Sequence, residues 1–274
     1  MSDLKFSTEL PVTTGFMESN GAQIYYEWTG SRNPLVFLHA GGLDLRMWSE
    51  HFKSFSSSHQ VIRYDAPGCG RSTAPTKPFT DAGVLRALLK HLGIETACLI
   101  GESLGGRIAI EFTLEYPETV KGLILSGPGL GGYQWSKEYT EQIGKIFSYA
   151  ETGDALAATE EWLKHPHLFP AMKNPSLRNR VRQMNFDNAK LWMQGLPERP
   201  LEPFAIKRLK EIAVPVQIIM GGLDVPDIHA IGKLLVSEIH NAEAMVIQDA
   251  GHLVSMEQPA MFNQAIDQFL KKIQ

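Results

Sequence analysis

The chain has 274 residues, 43% apolar and 20% charged, a balance that belongs to folded globular proteins and excludes a disordered chain. Its 26 basic and 30 acidic residues leave a formal net charge of −4 with no basic stripe, which argues against a nucleic-acid partner. The apolar runs, such as Leu35–Ala40 and Ile218–Met220, are strand-sized and far too short to span a bilayer, so no membrane partner is expected.

Residues 1–20 mix Asp3, Lys5, Glu9 and Glu18 without an apolar run, so no signal peptide is expected. With only Cys69 and Cys98 there is no disulfide framework, and a cytoplasmic location follows as the expectation. Asn20-Gly21, between the extended stretches Gly15–Ser19 and Gln23–Trp28, is a strong hairpin signal. After it, short apolar runs alternate with longer amphipathic ones, the pattern of a parallel sheet with crossover helices.

Strands are predicted at Leu35–Leu38, Val61–Tyr64, Cys98–Ile100, Leu123–Leu125, Val216–Met220 and Met245–Ile247. Helices are predicted at Met47–Phe55, near Val84–Leu92, at Leu104–Tyr116, Ile228–Ile239 and Pro259–Ile273. One segment breaks this rhythm. Between about Gly131 and Ala205 there is no core strand, only helical stretches separated by Pro166, Pro170, Pro175, Pro197, Pro200 and Pro203. That segment holds ten of the chain's 25 aromatic residues. It reads as a helical insertion, with Trp135 and Trp192 as candidate substrate contacts and Met172, Met184 and Met193 as further apolar lining.

Gly101-Glu102-Ser103-Leu104-Gly105 matches G-x-S-x-G at the end of one predicted strand and the start of a helix. In that setting a strained turn lifts the serine hydroxyl above the sheet, and the flanking glycines let neighbouring backbone pass. A hydroxyl is a poor nucleophile near neutral pH and requires a base. Of nine histidines, His51, His59, His91, His229 and His240 read as solvated helix residues. His165 and His167 flank Pro166 without the carboxylate or cysteine spacing of a metal site. His252 follows the last strand, on the edge where parallel sheets place their sites, and is the candidate base.

Asp224, directly after Val216–Met220, is the candidate to orient that imidazole, with Asp227 and Asp249 as competitors. Oxyanion donors are expected from the backbone of Leu104 and of Gly41, with Gly42 the second choice for the latter.

Leu35–Gly42, Asp65–Ser72, Gly101–Gly106, Gly221–Asp224 and Gly251-His252 together resemble the α/β-hydrolase superfamily in order and spacing over essentially the whole chain. The resemblance is to serine-nucleophile members with a helical cap, of the 3-oxoadipate enol-lactone hydrolase, carboxylesterase and meta-cleavage-product hydrolase types. It implies an α/β fold with a mostly parallel eight-stranded sheet, a core over residues 1–130 and 206–274, and a cap over residues 131–205. It also implies no metal and no organic cofactor. Two features depart from the pattern: Ala40 follows His39 where glycine is usual, and Pro67 and Cys69 stand in the Asp65 loop.

The expected function is cleavage of a small organic ester or lactone through an acyl-enzyme on Ser103, His252 and Asp224. The alternatives are hydrolysis of a C–C bond in a meta-cleavage type diketone and, from another class, a non-enzymatic small-ligand receptor or signalling partner on the same fold. Arg178, Arg180 and Arg182 could steer an anionic substrate, but residues two apart on a helix diverge, so a solvated face is expected.

Overall fold

The computed structural model describes residues 10–273; residues 1–9 of the stretch read for a signal peptide lie outside the described residues. Eight strands form one sheet in the order β1-β2-β4-β3-β5-β6-β7-β8. They are β1 (Thr13–Ser19), β2 (Ala22–Thr29), β3 (Leu35–Leu38), β4 (Val61–Tyr64), β5 (Ala97–Glu102), β6 (Val120–Ser126), β7 (Val216–Gly221) and β8 (Ala242–Ile247). β1 and β2 pair antiparallel, as do β2 and β4; every later pairing is parallel. The β1–β2 loop is Asn20-Gly21, both at positive φ (51° and 75°). This is the backbone that a two-residue hairpin turn requires and that asparagine and glycine tolerate best.

The central strands are apolar on both faces, and alternate residues feed opposite layers. Val36, Leu38, Leu99, Leu123, Leu125 and Ile218 pack into one apolar layer, whereas Leu35, Phe37, Ile100, Ile124 and Ile219 pack into the other. Such two-sided burial is the reason these strands read as continuous apolar runs rather than alternating ones. The helices are α1 (Ser49–Phe55), α2 (Asp81–His91), α3 (Leu104–Glu115), α4 (Lys137–Glu151), α5 (Ala155–Trp162), α6 (Phe169–Lys173), α7 (Pro175–Asp187), α8 (Pro226–Glu238), α9 (Val254–Glu257) and α10 (Pro259–Lys272). α2, α3 and α8 cover the first layer through residues such as Leu85, Phe112 and Ile231. α1 and α10 cover the second through Phe52, Phe55, Phe262 and Phe269. No helix among the described residues is long and apolar enough to cross a membrane.

Element ends differ from the sequence reading where a polar residue interrupts an apolar run. α2 starts at Asp81 because Thr80 caps it, its Oγ1 accepting from Gly83 N at 3.0 Å. β8 begins at Ala242, opposite Val216; its first half, Ala242-Glu243-Ala244, is small or charged and half-exposed at the sheet edge, so only Met245–Ile247 reads as a strand. His51 corrects the expectation of a solvated histidine. It is 1% exposed, its Nδ1 lying 2.6 Å from Asn263 Oδ1 and its Nε2 3.1 Å from Ser255 O, so it ties α1 to α9 and α10. Burial holds its pKa below the usual value. His59 is likewise buried.

α4 to α7 all lie between β6 and β7. Three of these helices begin on side-chain caps: Ser136 for α4, Asp154 for α5 and Asn174 for α7. Asn188, at the end of α7, fastens the segment to the core loops. It donates to Asp44 Oδ2 at 3.0 Å and accepts from Gly70 N at 2.6 Å.

Backbone packs closely on backbone at the β5–α3 crossing. A Cβ on Gly105 would fall 2.1 Å from Leu38 O, and one on Gly101 would fall 2.2 Å from Gly105 O. Gly105→Ala is therefore expected to destabilise the fold by about 1–3 kcal/mol, the usual cost of overpacking. A urea midpoint unchanged from wild type would contradict this contact.

Candidate active site

Ser103 sits between β5 and α3 at φ 56°, ψ −110°, a region that non-glycine residues rarely adopt and that has to be held by its surroundings. Three backbone hydrogen bonds hold it: Ser103 N to Ser126 O (2.9 Å), Gly129 N to Ser103 O (3.0 Å) and Arg107 N to Ser103 O (3.1 Å). Although Ser103 is the N-cap of α3, its side chain makes no capping bond. Its Oγ instead lies 2.8 Å from His252 Nε2.

His252 Nδ1 is 2.7 Å from Asp224 Oδ2. His252 and Asp224 are both buried, at 3% and 9% exposure. Asp224 Oδ1 accepts from Val225 N at 2.7 Å and faces His167 Nδ1 at 3.1 Å. Despite burial, the His252 and His167 contacts hold the Asp224 carboxyl well below the usual carboxylate range. Burial pushes the His252 pKa down, but the Asp224 charge outweighs it, and the net direction is up. An ionised Asp224 can only accept, so His252 carries its neutral proton on Nδ1 and turns a bare Nε2 toward the Ser103 hydroxyl.

The structure thus brings Ser103, His252 and Asp224 together and leaves the competing carboxylates out. Asp227 accepts from Ser136 N (2.9 Å) and Ser136 Oγ (2.7 Å), which anchors the start of α4. Asp249 is exposed. Gly41 and Leu104 are neighbours, a Cβ on Gly41 falling 3.8 Å from Leu104 Cβ, and among the described residues no hydrogen bond uses either backbone N–H. Gly42, at φ 74°, turns the loop beside them. Ala40 keeps the loop in place through His39, whose Nδ1 lies 2.9 Å from Ala40 O while Nε2 accepts from Ala66 N at 2.9 Å. Cys69 is buried, and burial pushes its thiol pKa well up, which is no setting for a nucleophile.

Above Ser103 lies a cavity of about 550 Å³ that also contacts Gly41, Leu104 and His252. Trp135 and Trp192 line it, joined by Tyr139, Phe147 and Trp162 from the same inserted segment. Met172, Met184 and Met193 do not: Met172 and Met184 pack with the α1–α10 layer, and Met193 is exposed. Arg178 is exposed, Arg180 pairs with Glu50 at 3.0 Å and Arg182 with Glu160 at 2.7 Å.

The cation in the cavity wall is Arg107, which the sequence reading missed. It is held by Asp81 (2.8 Å), Glu198 (2.8 Å) and Glu111 (3.2 Å). Also missed were His167, Glu102 and Glu257. Buried Glu102 accepts from Ser126 Oγ at 2.9 Å and from Ser255, and burial pushes its carboxyl up to about 7. Glu257 accepts from Gly251 N and Leu253 N at 2.9 and 3.1 Å, clamping the turn that carries His252. Of these four, only Glu102 had a sequence signal, since it lies inside the G-x-S-x-G motif.

Comparison with known proteins gives the following matches. The family described as alpha/beta hydrolase fold matches residues 33–259. A 2-hydroxy-6-oxononadienedioate/2-hydroxy-6-oxononatrienedioate hydrolase of Paraburkholderia phymatum is 31% identical, over 90% of this chain and 91% of that protein. 3-Oxoadipate enol-lactonase 2 of Acinetobacter baylyi is 26% identical, over 88% of this chain and 90% of that protein. Among solved structures, naproxen esterase from Bacillus subtilis superposes with a TM-score of 0.78 at 25% identity, covering 95% of this chain and 92% of that one.

The charge of Asp224 sets the proton affinity of His252. In Asp224→Asn burial remains without the compensating charge, so the His252 pKa is expected to fall below the ordinary value of about 6.5. Histidine NMR titration of the two proteins checks the direction; a value equal to or above wild type would refute it.

Proposed function

The chain belongs to the α/β-hydrolase fold family, and from that premise we propose that it is a serine hydrolase cleaving a small, neutral organic ester or lactone through an acyl-enzyme. The observation that carries this reading is the hydrogen-bonded line Ser103 Oγ, His252 Nε2, His252 Nδ1, Asp224 Oδ2 at the foot of an apolar cavity.

Ser103 Oγ attacks the substrate carbonyl carbon while its proton passes to His252 Nε2. The carbonyl electron pair moves to oxygen, which the N–H groups of Gly41 and Leu104 receive. Collapse of the intermediate breaks the C–O bond, and His252 returns the proton to the departing alcohol, which stays tethered when the substrate is a lactone. Water, deprotonated by His252, then releases the acid from Ser103 by the same steps. Asp224 stays ionised throughout and stabilises the imidazolium. Residues 131–205 serve as the cap, with Trp135 and Trp192 in the substrate wall.

Three aspects of the reading are testable on the triad. Ser103→Ala is expected to remain folded and to lose labelling by a fluorophosphonate; labelling at the wild-type rate would remove Ser103 as the nucleophile. Because His252 is shifted upward, the acidic limb of kcat/KM should lie above the ordinary histidine pKa of about 6.5, activity rising as the imidazolium loses its proton. Asp224→Asn should cost several orders of magnitude in kcat, whereas Asp227→Asn, which loosens the Ser136 anchor, should leave phosphonate labelling largely intact.

The preference for a neutral substrate rests on Arg107. Three carboxylates surround that one guanidinium, so it has no charge to spare for a substrate carboxylate. This weighs against C–C cleavage of dioates of the kind that name the Paraburkholderia relative. A p-nitrophenyl butyrate should be turned over at least ~10-fold more efficiently than mono-p-nitrophenyl succinate, since one uncompensated charge contact is worth about 1.4 kcal/mol or more. Equal efficiency, or a preference for the succinate, would reject the neutral class.

A further inference from the structure

The acid of the proposed triad is held by a residue from the inserted segment. We propose that His167, in the turn between α5 and α6, is a positioning residue that fixes Asp224 against His252 and makes the triad competent only when that segment is docked. The inference rests on the triad reading above and goes beyond it.

The geometry is specific to one carboxylate. Asp224 Oδ2 faces His252 Nδ1 at 2.7 Å, and Oδ1 faces His167 Nδ1 at 3.1 Å. The two imidazole rings lie against each other, with centroids 4.0 Å apart and planes inclined by 32°. His167 is 2% exposed. On its other sides stand His165 and Tyr139, with ring centroids at 4.8 and 5.5 Å. Three residues on, Pro170 covers the turn before His252: a Cβ on Gly251 would lie 2.4 Å from Pro170 Cγ. The same short stretch therefore touches both the acid and the turn carrying the base.

Asp224 is ionised and accepts only, so the proton between it and His167 belongs to His167 Nδ1. A second proton would place an imidazolium against His252 in a buried site. Burial first, and the His252 charge next, hold the His167 pKa down at about 4, against the opposing pull of Asp224 and Asp227. His165 is held lower still, at about 3, mainly by burial. His167 thus donates to Asp224 without becoming charged, and His252 is the imidazole that takes up the proton, facing Asp224, Glu102 and Glu257. Among the described residues His167, Asp224 and His252 also form a group compact enough for a metal; both Asp224 oxygens are already engaged by the two Nδ1 atoms.

The test compares His167→Leu, which has no donor, with His167→Asn, whose amide can replace the Nδ1 proton. In His167→Leu, kcat for p-nitrophenyl butyrate should fall about 10- to 100-fold, the range for losing one hydrogen bond to a charged group, with KM changed less than about three-fold. Asp224 then has one donor fewer and holds the His252 proton more tightly, so the acidic limb should move to higher pH. His167→Asn should recover most of kcat and the wild-type limb. Equal losses in both variants, or a wild-type profile in the leucine variant, would overturn the proposal. Should neither variant fold, nitrogen-15 histidine NMR of the wild type decides. The proposal requires a neutral His167 with its proton on Nδ1 across the pH range in which His252 titrates; a proton on Nε2, or joint titration, overturns it. Absence of phosphonate labelling in the wild type would remove the triad reading while leaving the His167 tautomer measurable.

Discussion

The upper edge of the sheet is organised around one buried negative charge. Taking a carboxylate out of water costs several kcal/mol unless donors replace the lost hydration. Asp224 has three contacts, from Val225 N, His252 Nδ1 and His167 Nδ1. The donors come from three stretches of chain: the loop after β7, the loop after β8, and the segment between β6 and β7. Withdrawing any one of them exposes the carboxylate to a desolvation cost without its compensation. The loops must therefore converge, and their convergence sets the distance from His252 to Ser103.

The strained turn at Ser103 depends on a second buried acid. Glu102, at the end of β5, bonds to Ser126 on β6 and to Ser255 on α9. Ser126 O in turn accepts from Ser103 N, and Ser255 O faces His51 Nε2. The turn that presents the serine is thereby tied to the helix following His252. Gly127, at φ 44°, lies against His252 and Asp224: a Cβ there would fall 3.1 Å from His252 Nδ1 and 3.3 Å from Asp224 Oδ2. Backbone strain of this kind persists only where several contacts enforce it, and here they come from β6, α3 and α9.

This arrangement explains which features were legible in the sequence. The hairpin at Asn20-Gly21, the six parallel strands and the turn at Ser103 are specified by adjacent residues, through positive φ, two-sided burial and small side chains. The positions of Asp224 and His252 followed from topology, because parallel strands deliver their following loops to a single edge. His167 and Arg107 gave no such signal. Arg107 on α3 meets Asp81 on α2 and Glu198 in the inserted segment, 26 and 91 residues away. His167 meets Asp224 at a separation of 57. Nothing local distinguishes such residues from solvated ones; only the packing of distant segments assigns them. His51 is the same case in reverse, a helical histidine whose partners on α9 and α10 are more than 200 residues away.

Two charges near the cavity are treated in opposite ways: Asp224, buried behind His252, and Arg107, half-buried in the cavity wall. Asp224 accepts from Val225 N and faces two imidazole Nδ1 atoms, and its charge raises the proton affinity of His252. Arg107 is surrounded by three carboxylates, of which burial pushes Asp81 up to about 7. These pairings direct its guanidinium toward carboxylates rather than toward the space between Trp135 and Trp192. The cavity wall is mainly aromatic and aliphatic, and its charged residues Arg107 and Glu198 are paired with each other. In such a space a ligand is oriented by where its carbonyl finds hydrogen-bond donors, and the rest of it is admitted by shape and by the ease with which it sheds water.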